Sequence, residues 1–251
     1  MAAALWIAEK AILERVYSDF TPLTRHLRQG SIESTMNISQ IVIQIITLLF
    51  ALSFHEMAHA WAAWKFGDST AKDEGRLTMN PIPHIDPMMT IAFPAFLILM
   101  NSPVVFGAAK PVPVDTYNLR HPKRDHMWIA AAGPISNIIL ASITIVLLRW
   151  FYVPLRMAEM SGSTWATPVL MLLMSSLTIN LVLAAFNMIP LYPLDGSWVL
   201  TRFLTGNAAT AYASLRPFGF FILIALLWSG ALRFITTPVF AIANFFLTVG
   251  L

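Results

Sequence analysis

Two histidines four residues apart flank a glutamate in the segment His55-Glu56-Met57-Ala58-His59. On a helix, residues i and i+4 stand one above the other, so both imidazoles address one point, while the glutamate at i+1 lies beside them and need not be a ligand. Imidazole nitrogens bind zinc, and a carboxylate next to them is the base that metal-assisted hydrolysis requires. The bland alternative is a coincidence of two histidines and a glutamate on a buried helix. The run Ile41–Trp64 around them is otherwise apolar. Three ionisable groups in one apolar turn have no stabilising rationale unless a metal or a hydrogen-bonded network compensates them.

A catalytic zinc commonly takes three protein ligands and keeps a fourth position open. The chain has no cysteine, so the third ligand must be nitrogen or oxygen, with Asp86, Asp195, His84, His121 and His126 as candidates. Asp195 ends the segment Asn187-Met-Ile-Pro190-Leu-Tyr-Pro193-Leu-Asp195-Gly196, where a long apolar run meets two prolines. Proline removes backbone donors and interrupts a helix, which lets a carboxylate turn toward a neighbouring site. That favours Asp195, against the simpler role of capping the helix that follows.

These residues need elements to carry them, and the composition indicates a membrane. Of 251 residues, 57% are hydrophobic and only 12% charged, against about 25% charged in ordinary soluble domains. The apolar residues fall into blocks at 39–66, 87–106, 127–152, 166–193 and 217–251, several of which reach the roughly 20 residues that a span needs. The expected fold is an all-α polytopic membrane protein of five to six membrane segments, with 39–251 as a single membrane-embedded domain. Residues 1–38 form a more polar N-terminal extension. Within it, Leu5–Tyr17 carries Glu9, Lys10, Glu14 and Arg15 at helical spacing, the pattern of an amphipathic helix lying on the membrane surface. The formal charge of +3 is scattered through loops, which reads as headgroup and topology charge and not as a nucleic-acid face.

The weakest block, Pro87 to Met100, carries Pro94 and at 1.5 Å per residue reaches only about 21 Å. Either it dips in and returns, so that loops 67–86 and 107–126 share one side, or it spans by extending to Phe106 and they lie on opposite sides. The segments Gly75–Met79 and Gly107–Val114 hold glycine, proline and β-branched residues, which predicts short membrane-associated β segments. Gly133, Pro134 and Asn137 suit close helix packing with a hydrogen bond across it, direct substrate contact being the alternative. Asn187 lies two turns before Asp195, on a similar face.

Taken together, the sequence resembles the site-2 protease family of intramembrane metalloproteases. The resemblance rests on His55-Glu56-x-x-His59, Gly75-Arg-Leu-Thr-Met-Asn80-Pro81, His84-Ile-Asp86-Pro87 and Phe106-Gly-Ala-Ala-Lys-Pro-Val-Pro. It continues through Ala132-Gly133-Pro134-Ile-Ser-Asn137 and the Asn187–Gly196 segment. Met88 departs from it, standing where relatives often carry glycine. The resemblance implies one zinc ion on His55, His59 and Asp195, Glu56 as general acid/base, and Asn187 near the substrate carbonyl. It further implies a compact prokaryotic-type protein without PDZ or CBS modules, multi-pass in the cell membrane, whose partners are transmembrane protein substrates and the lipid bilayer. The function expected is hydrolysis of peptide bonds within or next to transmembrane segments. The alternatives are a membrane metal transporter using the same four side chains transiently, or an inactive homologue that only binds membrane proteins.

Overall fold

The computed structural model describes residues 38–100, 107–231 and 233–248. The amphipathic helix expected over Leu5–Tyr17 lies outside them. Among the described residues the secondary structure is helical: α1 (Ile38–Phe66), the short α2 (Thr70–Asp73), α3 (Phe93–Leu99), α4 (Pro122–Met160) and α5 (Ala166–Asn187). There follow α6 (Asp195–Thr201), α7 (Gly206–Ala213), α8 (Gly219–Trp228) and α9 (Arg233–Thr248). Four stretches are long and apolar enough to cross a bilayer: α1, α4, α5 and the run Gly206–Trp228. Pro87–Leu97 and Phe234–Leu247 are shorter apolar helices. The protein is an all-helical integral membrane protein.

A three-helix bundle of α1, α4 and α5 carries the molecule, with α6 on α4 and α9 against α5 and α4. In the α4–α5 seam Ala141, Leu148 and Leu155, seven residues apart, pack with Ala166, Leu170 and Leu177, spaced by four and seven. That is the spacing of a packed antiparallel helix pair. Alanines at 51, 60, 62 and 63 line the buried face of α1, so its backbone lies close to its neighbours, as small residues allow in membrane helices. The outward faces are inverted relative to a soluble protein. Val42, Ile45, Ile46, Ile138, Ile139 and Ile143 are all exposed, and lipid is the solvent that accepts them.

The segment between α1 and α4 returns to where it started. Lys110 N donates to His84 O at 2.9 Å, and Ala108 N to Met89 O at 3.1 Å. Asp68 is fully buried and joins the two loops, accepting from Thr70 N (3.1 Å) and Oγ1 (2.6 Å), Asn118 Nδ2 (3.2 Å) and Asp115 N (2.8 Å). Loops 67–86 and 107–126 therefore share one side.

The expected β segments do not form. Residues 75–80 are turn, bend and irregular backbone, and 107–115 form neither helix nor strand. The physical reason is pairing: the donors at Ala108 and Lys110 reach a π-helical turn (Pro87–Ala92) and a 3-10 turn (Ile82–His84), and neither offers an extended edge.

Candidate metal centre

His55 and His59 project from the same face of α1 toward α4, both buried. The third group arrives from the far end of α5. That helix stops at Asn187, and the chain turns through Pro190 and a cis Tyr192–Pro193 bond, then restarts as α6 at Asp195. Leu194 is the N-cap residue and no side chain caps this helix, so the capping role is not the one Asp195 plays. It sits in the first turn of α6, where the helix dipole favours a carboxylate. Gly196 permits the tight return: a Cβ there would lie 2.5 Å from Met188 C and 2.6 Å from Ile189 O.

Asp195 Oδ2 lies 3.2 Å from His55 Nε2 and 3.4 Å from His59 Nε2. The two Nε2 atoms are 3.0 Å apart. The three ligand atoms form a group able to hold one metal ion. The outer nitrogens decide what that group can be. His59 Nδ1 lies 2.7 Å from the backbone carbonyl of Ile129, which can only accept, so Nδ1 carries the proton and Nε2 presents a lone pair. His55 Nδ1 lies 2.6 Å from Asn137 Oδ1 and is protonated in the same way. Two imidazole lone pairs thus face a carboxylate oxygen that is buried and accepts no hydrogen bond. Three acceptors converging without a donor are mutually repulsive unless a metal ion, or a proton shared as in a His–Asp ion pair, lies between them. Nitrogen, nitrogen and carboxylate oxygen with outward-anchored imidazoles is the donor set of a catalytic zinc site, and the residues fit that ion.

Glu56 is buried beside His55 on α1. Asn187 is half-buried, and its Nδ2 donates back to Leu183 O at 3.0 Å. The remaining candidate ligands serve elsewhere. Asp86 Oδ1 caps the turn at 87–92, accepting from Met88 N (2.8 Å) and Met89 N (2.9 Å). His84 Nε2 meets Thr78 O at 3.0 Å. His121 is exposed, 3.8 Å from Asp125. His126 packs against Trp198 with ring centres 4.5 Å apart and planes tilted by 41°.

Three contributors were not legible as such from sequence. Asn137, read as a packing residue with a hydrogen bond across the helices, does make such bonds, but that one of them goes to His55 was not readable. Gly133 is the floor under both rings, since a Cβ there would lie 2.5 Å from His59 Cε1 and 2.6 Å from His55 Cε1. Asn180 is a fully buried amide on α5 that donates from Nδ2 to Ser176 O at 2.8 Å. The available signal was an amide at membrane depth in an apolar helix, which is costly unless paired.

A bundle of membrane-length helices enclosing two helical histidines, a carboxylate and an adjacent glutamate defines a membrane-embedded metallopeptidase. Comparison with known proteins agrees. The family model for peptidase family M50 matches residues 149–229. The Bacillus subtilis (strain 168) protein "Putative zinc metalloprotease YwhC" is 36% identical over 190 residues, covering 72% of this chain and 78% of that protein. Two mycobacterial proteins share that description under the name Rip2. The Mycolicibacterium smegmatis one is 29% identical, covering 78% of this chain and 70% of its own length. The Mycobacterium tuberculosis (strain ATCC 25618 / H37Rv) one is 28% identical, covering 74% and 66%. No solved structure matches the chain. The chain belongs to peptidase family M50, in keeping with its resemblance to the site-2 proteases.

Proposed function

We propose that this M50 peptidase holds one zinc ion on His55, His59 and Asp195 and hydrolyses peptide bonds within or next to transmembrane segments of other membrane proteins. The observation that carries the reading is the convergence of two imidazole lone pairs and an unpaired carboxylate oxygen on one point. Zinc there supplies Lewis acidity, polarising a peptide carbonyl and lowering the pKa of water toward neutrality. Glu56 takes the proton from the attacking water and returns it to the leaving amine. The Asn187 amide carries two hydrogens, of which Leu183 O uses one; the second is available to the developing oxyanion. The transporter alternative finds no support in a peptidase family.

Access for water follows from depth. Lys65 lies over the rings of Trp61 and Trp64 at 5.8 and 4.5 Å, an aromatic and basic belt of the kind found at a membrane surface. His59 is five residues before Trp64, about 7.5 Å along the axis, so the metal group is near that surface. The end of α1, the start of α4 and the end of α5 share this side, which makes loops 67–86 and 194–216 the rim of the cleft. In this reading six segments enter the membrane: four spans, α9, and the short helical run 87–99, which dips in without crossing. Residues 39–251 act as one domain, multi-pass in the cell membrane.

A substrate helix must open before hydrolysis, because its carbonyls are hydrogen-bonded and shielded. The run 107–115, which has neither helix nor strand and no strand partner among the described residues, would straighten to receive the freed backbone as an added strand. The test is co-expression with single-span substrates carrying either Gly-Pro or an all-Leu helix, at matched insertion. The reading predicts Glu56-dependent cleavage of the first and resistance of the second. Equal cleavage of both, or cleavage that survives Glu56→Gln, refutes it.

A further inference from the structure

We propose that Asn180 is a positioning residue for the metal: acting through the Asn137 amide, it holds His55 in the tautomer whose Nε2 is free to bind. The inference rests on the reading of His55 as a ligand and extends it to a residue two layers away.

Two groups in this network have hydrogen-bonding roles that cannot change. Ser176 O and Ala51 O are backbone carbonyls and only accept. Asn180 Nδ2 lies 2.8 Å from Ser176 O, so the amide nitrogen must face that carbonyl and Oδ1 must face away, toward α4. Asn137 Nδ2 donates to this Oδ1 at 2.8 Å and approaches Ala51 O at 3.4 Å. Asn137 Oδ1 is thereby turned to His55, where it accepts from Nδ1 at 2.6 Å. Each orientation dictates the next, from α5 through α4 to α1, and the last step leaves the Nε2 lone pair aimed at the metal position. Asn137 and Asn180 are 0% and 1% exposed, so no solvent competes for these bonds.

The two ligand histidines differ in what secures them. His59 is fixed by a backbone carbonyl on the next helix, which no substitution alters. His55 depends on an amide that can rotate by half a turn. With Asn180 in place, rotation would set Asn137 Oδ1 against Asn180 Oδ1, two acceptors face to face. Without Asn180, only the long contact to Ala51 O opposes it. The rotated amide would donate to His55 Nδ1, move the ring proton to Nε2 and point it at the metal position. The relay joins residues 43 and 82 positions apart, so it forms only when the three helices are assembled.

The test uses full-length protein in detergent, with zinc affinity measured against a competing chelator and the His55 tautomer read by imidazole 15N NMR of the metal-free protein. Asn180→Leu removes the acceptor at similar volume; zinc binding should weaken about tenfold or more, as outer-shell losses do, and His55 should gain Nε2–H signal. Asn180→Ala carries the same expectation should leucine fail to insert. Asn180→Asp restores an acceptor toward Asn137 in either ionisation state and should recover both readouts. Ser176→Ala removes only the long hydroxyl contact to Asn180 Nδ2 at 3.4 Å and keeps the carbonyl that orients the amide at 2.8 Å, so it should match wild type. A purely structural role would lower folded yield without moving the tautomer. Wild-type affinity and tautomer in both Asn180→Leu and Asn180→Ala overturn the relay. Zinc binding of the wild-type chain that survives His55→Ala shows instead that the underlying ligand assignment is wrong, and the relay falls with it.

Discussion

Adding one methyl group at Gly133 should loosen the grip of the metal centre on its ion. The Cβ of Gly133→Ala would sit 2.5 Å from His59 Cε1 and 2.6 Å from His55 Cε1, where ordinary carbon contact needs about 3.5 Å. Each ring would have to retreat by roughly 1 Å. Neither is free to do so, because Nδ1 of each is tethered at 2.6–2.7 Å to Asn137 and Ile129. Overpacking of this kind costs about 1–3 kcal/mol. Placed on the ligand geometry, that energy weakens zinc binding by about 5- to 150-fold, at 1.4 kcal/mol per factor of ten. A 1 Å misplacement of the reacting groups costs roughly another hundredfold in rate. The assay is zinc content of purified protein after dialysis against a chelator series, with exposed Ser142→Ala on the same helix as control. Wild-type zinc affinity in Gly133→Ala would refute the placement of both rings against α4.

Replacing Glu56 by Gln should preserve zinc content and lower cleavage by about 10²–10⁴-fold, because an amide cannot accept the water's proton; metal analysis and turnover on one preparation separate the two effects. Asp195→Ala should lose zinc while Asp86→Ala keeps it, since Asp86 is occupied in capping; the reverse pattern would show that the wrong carboxylate was chosen. Burial pushes the Asp68 carboxyl up, but hydrogen bonds from Thr70, Asn118 and Asp115 outweigh this and hold it below its ordinary value. Its folded pKa being depressed, its stabilisation is full above about pH 3.9 and fades as pH falls through the folded value. Asp68→Ala should cost about 2–3 kcal/mol, as loss of a charged acceptor does, read as lower thermal stability at neutral pH with a smaller deficit in acid.

How far the sequence reached depended on whether the relevant physics was local. The histidine pair follows from helical periodicity, and the approach of Asp195 from two prolines that break α5, so both were readable from short windows. Hydropathy located the spans but not their ends. The block at 127–152 belongs to a helix running Pro122–Met160, because charged turns beyond the bilayer add nothing to an apolar count. The block at 217–251 is divided near Gly230, which adopts a φ of +70°. The β expectation failed because strand propensity is realised only with a partner, and loops 67–86 and 107–126 meet through turns. Asn137 and Asn180 were illegible in their roles for a related reason: what each amide does is set by residues 43 and 82 positions away, which no local pattern encodes.

The proposed function requires one zinc ion on a His, His, Asp set to support peptide hydrolysis at the membrane. Its most direct test is to reconstitute purified protein in lipid vesicles with a single-span substrate, measuring bound zinc per chain and the cut site by mass spectrometry for wild type and Glu56→Gln. The account predicts one zinc in both and, for wild type alone, a cut within or next to the membrane segment. Absence of stoichiometric zinc, or a cut confined to a soluble loop far from the membrane, would contradict it.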